Sequence, residues 1–143
     1  MSIEFEECLK KQKIREFTRG SSLVEKELRT AEEDLKAGKK SMDDGNYKWS
    51  TIQFYYSMFH SARALLYAKN LREASHYCLI AAIKTLYVEN NLLPVKLIEV
   101  LQTAKSLRES ADYYDRWSRD GAEKLFKSAE LFLEKTKEIL KRG

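Results

Sequence analysis

Residues 47–70 read YKWSTIQFYYSMFHSARALLYAKN, and this stretch decides the fold. At 100° per residue, Ile52, Tyr55, Tyr56, Phe59, Ala62, Arg63 and Leu66 fall on one side of a helix, with Phe54, Met58 and Leu65 nearly opposite. Only a strip around Gln53, Ser57 and Ala64 is small or polar. A helix that is apolar around most of its circumference has to be covered on more than one side. The pattern predicts a central helix, or one shared between the core and a subunit interface, ending at Asn70.

The flanks read as ordinary amphipathic helices. Upstream, residues 23–42 set Val24, Leu28, Ala31, Leu35 and Met42 at helical spacing. Ser21 and Ser22 are the N-cap candidates, with Glu25 in capping-box position. That helix stops in DDGN, residues 43–46, where Gly45 and Asn46 tolerate a left-handed C-cap. Downstream, Ser75 offers an N-cap to HYCLIAAIKTLYVENN, with Cys78, Leu79, Ala82, Ile83, Leu86 and Tyr87 inward and Asn90-Asn91 as the stop. Pro94 suits the first turn of the next helix, whose stripe is Val95, Ile98, Leu101, Ala104 and Leu107, widened by Leu97 and Val100. The last helix runs from about Ser118, its cap, to Leu140, and turns Ala122, Leu125, Phe126, Ala129, Phe132, Leu133 and Leu140 to one face. The opening segment, IEFEECLKKQKIREF, reads as a short helix followed by an arm ending at Arg19-Gly20. No repeat or linker interrupts the chain. The expectation is one domain over residues 1–143, with a short helix or arm over 1–20 and the bundle over 21–143. Its class is all-α, an up-and-down bundle of about five helices.

The totals agree. A chain of 143 residues, 43% hydrophobic and 34% charged, is long enough to bury a core and too apolar to be disordered. Five Gly and one Pro leave little material for hairpins. The net charge of +4 is spread among alternating acids and bases, which reads as solvated helix faces. Cys8 and Cys78 are too few and too far apart in sequence to suggest a disulfide framework or a zinc site, so a reducing, cytoplasmic setting is expected. No apolar run approaches the length of a membrane span, and no signal peptide is expected.

Four stretches together carry a family resemblance: YKWSTIQFYYSMFHSARALLYAKNL, SHYCLIAAIKTLYVENNLL, LRESADYYD and KSAELFLEKTKEIL. In order and spacing they resemble a prokaryotic HEPN domain over roughly residues 5–140. The resemblance implies a four- to five-helix up-and-down bundle, commonly a homodimer, often partnered by a minimal nucleotidyltransferase. It further implies nucleotide binding and, in many members, metal-independent RNA cleavage by toxins. The nuclease members place four to six intervening residues between an Arg and the His that follows it, usually with a polar residue directly after the Arg. Here three residues lie between Arg72 and His76, twelve lie between Arg63 and His76, and no His follows Arg108.

The candidate chemistry follows from the residues. Tyr56, His60 and Arg63 share one face of the central helix, with Tyr67 continuing the line. One reading is a phosphate-binding pocket in which Arg supplies a forked donor, His a titratable one, and the tyrosines stack on a base. The other pairs Arg63 with a bundle carboxylate such as Asp112 and gives His60 a backbone carbonyl. His76 sits in the first turn of its helix, where the dipole favours an anion and lowers the pKa of an imidazole. It is either the general base or acid of RNA cleavage, with Arg72 or Arg63 stabilising the phosphorane, or an exposed capping residue. Residues 108–120, RESADYYDRWSRD, mix Arg108 and Asp112 with three aromatics: a single-stranded nucleic-acid surface, or a helix-end salt-bridge knot with packed rings. No metal site, cofactor site, glycine-rich phosphate loop or nucleophile elbow is expected. Two functions of different class remain: a nucleotide- or phosphate-recognising module, or an endoribonuclease.

Overall fold

A computed structural model describes residues 2–142. These residues fold as six α-helices and one short strand pair: α1 (Ile3–Lys10), β1 (Ile14–Glu16), α2 (Gly20–Asp43), α3 (Tyr47–Tyr67), β2 (Leu71–Glu73), α4 (His76–Ile83), α5 (Val95–Tyr113) and α6 (Arg119–Arg142). The all-α bundle is as expected, its five long or central helices joined by the short opening helix α1.

The aromatic stretch is the axis of the molecule. Helix α3 packs on α2, α5, α6 and α4, and Phe54, Met58 and Leu65 on its second apolar side are all 0% exposed. Its small strip is where α2 comes close: Ser57 is buried and donates to the Ala31 carbonyl at 2.8 Å, beside Ala64. Gly38 of α2 completes this seam, because a Cβ there would stand 2.5 Å from the Phe54 ring. The turn between α2 and α3 places Gly45 at φ +81, and Asn46 caps α3 by accepting from the Trp49 amide. Sequence spacing assigns Asn46 to the end of α2; in the fold it starts α3.

Several boundaries fall as expected. Ser75 caps α4, Pro94 precedes α5, and the Ser118 hydroxyl accepts from the Gly121 amide at 2.9 Å. Asn70 and Asn91 hold the left-handed backbone that stops their helices. Others differ. Helix α2 begins at Gly20 without a side-chain cap, because both the amide and hydroxyl of Ser21 donate to Asn70 Oδ1. Helix α4 does not continue regularly to Asn90; after Ile83 it widens into a π-helical segment, Lys84–Val88. Val95 is 54% exposed, and Leu97 takes the inward place beside Ile98, Leu101 and Ala104.

The first twenty residues hold the largest departures. After α1 the chain forms an antiparallel pair, with Ile14 opposite Glu73 and Glu16 opposite Leu71. Ile14 is buried while Arg15 and Glu16 face out, so one side chain anchors the strand. Helix α1 lies on α4 through Phe5 and Cys8, and Cys8 is disulfide-bonded to Cys78 across 70 residues of sequence. This corrects the expectation of two unbridged cysteines. Sequence separation does not measure distance once α1 folds onto α4, where the two Cα atoms are 5.8 Å apart. Among the described residues no helix is long and apolar enough to cross a membrane.

Candidate functional site

His76 is the first residue of α4 and lies against the aromatic face of α3. Its ring sits 5.9 Å from that of Tyr55 and 6.4 Å from that of Phe59, nearly parallel to the latter. The Tyr55 hydroxyl is 3.2 Å from His76 Nδ1. Burial, reinforced by the Lys105 charge, pulls the His76 imidazole down to about 4, so it is neutral near pH 7. Burial, then the Tyr56 neighbour, pushes the Tyr55 phenol up to about 12. Of these two neutral groups the phenol is the stronger acid, so it donates to Nδ1 and the ring proton sits on Nε2. Nε2 is buried and has no partner among the described residues. His76 is therefore neither the exposed cap nor a free cation.

Arg108 of α5 spreads across the same aromatic face. Its guanidinium donates to the Tyr56 hydroxyl at 3.0 Å and pairs with Asp112 at 3.1 Å. It lies 5.9, 5.5 and 5.3 Å from the rings of Tyr55, Tyr56 and Tyr113. Burial opposes its charge, but the surrounding tyrosines and Asp112 outweigh that and raise its pKa. Its Nε is a second buried donor without a partner among the described residues. Unsatisfied buried donors cost free energy unless something accepts from them, and these two flank one ring, Tyr55.

Of the remaining candidates, Arg63 and His60 rest on carboxylates. Arg63 donates through Nε and Nη2 to one oxygen of Glu73, at 3.1 and 2.6 Å, and lies 4.6 Å from the Phe59 ring centre. Its partner is thus Glu73 and not Asp112. His60 meets Glu27 through Nδ1 at 2.6 Å, with Asp34 at 3.9 Å from Nε2, and not a backbone carbonyl. Burial raises the pKa of Asp34, partly offset by His60. Arg72 is exposed and lies over the Phe17 ring at 5.4 Å, whereas His76 faces Tyr55 and Phe59. The structure therefore groups His76, Tyr56, Arg108 and Asp112, sets Arg63 and His60 beside them on carboxylates, and directs Arg72 to a different ring.

A cleft of about 610 Å³ adjoins the cluster, walled by Ser2 and Glu4 from α1, by His76, Tyr77 and Lys84, and by Gln102 and Lys105 from α5. Its size suits a small molecule. Lys105 is ion-paired with Glu109 one turn on. Beyond α5, the rings of residues 108–120 are not packed: Tyr113, Tyr114 and Trp117 are 65%, 70% and 47% exposed. The bases there are paired in part, Arg108 with Asp112 and Arg119 with Glu123, while Lys48 reaches Asp115 and lies over both Trp49 and Trp117. The salt-bridge half of the helix-end reading fits; the ring-packing half does not. No group of three His, Cys, Asp or Glu that could hold a metal occurs among the described residues.

Sequence reasoning missed Tyr55 as a polar partner, Lys105, and the carboxylates Glu27 and Glu73. Tyr55 had a weak signal, as a hydroxyl on a face otherwise assigned to the core. Glu73 had none, because its burial comes from the strand pair.

The bundle has counterparts among known proteins. The family model described as HEPN domain matches residues 24–140. Two Methanocaldococcus jannaschii proteins, each bearing the name "Putative toxin", are 30% and 31% identical; the matches cover 82% and 80% of this chain and 81% and 86% of theirs. A protein of Archaeoglobus fulgidus named "UPF0332 protein" is 32% identical, covering 84% of this chain and 97% of its own. Among solved structures, a protein of Thermus thermophilus called TT1696 superposes with a TM-score of 0.70 at 18% identity, over 82% of this chain and 98% of that one. At that identity the likeness concerns the fold.

Proposed function

The chain belongs to the HEPN domain family, and from that premise we propose that it is a nucleotide- or phosphate-recognising module, acting as a homodimer beside a nucleotidyltransferase in a toxin–antitoxin-like pair. One observation carries the recognition half: two buried donors without partners among the described residues, His76 Nε2 and Arg108 Nε, beside the same tyrosine. A phosphate supplies several strong acceptor oxygens, and Arg favours it through forked geometry. The exposed Tyr113 ring, with Tyr56 beside it on Arg108, offers a face for a base. The toxin-like setting is supported by the names of the two Methanocaldococcus relatives.

The test is titration of the purified protein with AMP and with inorganic phosphate, followed by NMR of the His76 ring and by calorimetry. Saturable binding is expected, weakened roughly tenfold or more by Arg108→Ala, which removes a charge-assisted contact. Absence of binding by either probe, with no nucleotidyltransferase recovered in pull-downs, overturns the reading. Light scattering checks the dimer.

A second reading is favoured by one feature. His76 is unprotonated near pH 7, the state from which a general base on a ribose hydroxyl starts, although burial makes it a weak base and its lone pair at Nδ1 has to be released by the Tyr55 hydroxyl first. On that reading the protein is a metal-independent endoribonuclease in which Arg108, which lies beside the same Tyr55 ring as His76, takes the place of Arg72, which lies over Phe17. Incubation with total RNA in EDTA, with His76→Ala as control, separates the two: cleavage by wild type alone establishes the enzyme, and no cleavage by either removes it.

A further inference from the structure

Helix α1 has eight residues, and isolated helices of that length are marginal in water. Its place on the bundle therefore depends on its anchors. Only Phe5 and Cys8 of α1 are buried, and the second anchor is covalent, since Cys8 is bonded to Cys78. A further contact joins the Ser2 hydroxyl to that of Thr85 at 3.0 Å, in the π-helical segment. The next fixed point in the chain is Ile14, buried at the start of β1 and paired opposite Glu73. Residues 2–12 thus form a flap with a permanent hinge at β1 and a chemical latch in its middle.

The latch is set beside the cleft. Ser2 and Glu4 of α1 form one wall, and Cys78 is two residues beyond His76 on α4. Cys78 also donates its amide to the cap Ser75, so both the ring and the sulfur are held by the same first turn of α4. The cysteines are 2% and 3% exposed, so a dithiol reaches the bond through transient local fraying of the short helix α1 around it, and undocking follows once the bond is cut.

We propose that the Cys8–Cys78 bond is a redox latch that holds α1 as a removable wall of the His76 cleft. Reduction by a dithiol transfers two electrons and two protons to the bridge. The dithiol leaves as its own disulfide, and Cys8 and Cys78 become thiols. Helix α1 then keeps one apolar anchor and undocks, and the cleft loses Ser2 and Glu4. The inference concerns the wall and its control, so it stands apart from what the cleft binds.

The experiment compares the full chain as purified without reductant with the same protein in dithiothreitol. Alkylation with mass spectrometry first counts free thiols; hydrogen exchange and diethylpyrocarbonate modification of His76 are then followed in both states. Expected on reduction are exchange at the amides of α1 that is faster by about tenfold beyond any change in α3 and α6, and faster modification of His76. The melting temperature should drop by ~10 °C, as loss of a long-loop cross-link implies. The double variant Cys8→Ser/Cys78→Ser should match reduced wild type and ignore dithiothreitol; if it does not fold, reduced wild type alone gives the answer. Free thiols in the unreduced protein, or equal α1 exchange in the two states, overturns the proposal.

Discussion

Arg63 brings a charge to the side of the bundle and rests it on a carboxylate that is almost sealed from water. The Glu73 side chain is 4% exposed, its Oε2 takes both Arg63 bonds, and its Oε1 has no partner among the described residues. Burial works against the guanidinium, yet the Glu73 bond holds its pKa above the usual value. Truncating one member of such a pair strands the other charge. Arg63→Met should therefore destabilise by about 3 kcal/mol in urea unfolding, whereas Arg63→Met/Glu73→Leu should recover most of that loss. Equal losses for the single and double variants would show that Glu73 is not stranded. The face that bears Arg63 was legible at this scale, because helical spacing alone puts Tyr56, His60 and Arg63 in line. Their partners were not. Glu73 comes from a three-residue strand and Glu27 from another helix, and neither adjacency leaves a local pattern in sequence.

Between elements, α2 packs along α3, and Gly38 permits their close approach at Phe54. An alanine Cβ at that position would stand 2.5 and 2.6 Å from two carbons of the Phe54 ring, which is fully buried and has no free space to swing into. Helix propensity alone favours Gly38→Ala by about 1 kcal/mol. Overpacking a core costs about 1–3 kcal/mol, so the net expectation is a loss of roughly 1 kcal/mol, read as a lower melting temperature. A higher one would mean that the helices part without penalty. The helices themselves were readable from apolar spacing and from the capping and turn residues Ser75, Pro94, Ser118, Asn70 and Asn91. The start of α2 was not, because Asn70 takes the donors of Ser21 from 49 residues away. Nor was the β1–β2 pair: three residues are too few for an alternating pattern to stand out. The left-handed turns at Gln12 and Asp115 carry no glycine or asparagine to announce them.

For the molecule as a whole, these buried groups bound the pH range in which the fold is most stable. His76 titrates near 4 when folded and near 6.5 when unfolded, so between those values the unfolded chain holds the extra proton. Its contribution is present above pH 6.5 and is lost as pH falls toward 4. Tyr55 and Tyr87 act at the other end. Burial raises both to about 12, so the folded chain keeps protons that the unfolded one releases from pH 10, and stability falls as pH rises toward 12. Asp34, raised by burial, has the opposite sign to His76 in acid, so the raw acid limb mixes the two. The clean measurement is the stability of wild type minus that of His76→Gln, taken by urea unfolding from pH 4 to 8. That difference should be constant above pH 7 and should shift against wild type by roughly 1–2 kcal/mol as pH falls to 4, allowing for solvent screening of a partly exposed ring. A flat difference would mean that the His76 ring meets water freely, and the buried donor on which nucleotide recognition rests would then not exist.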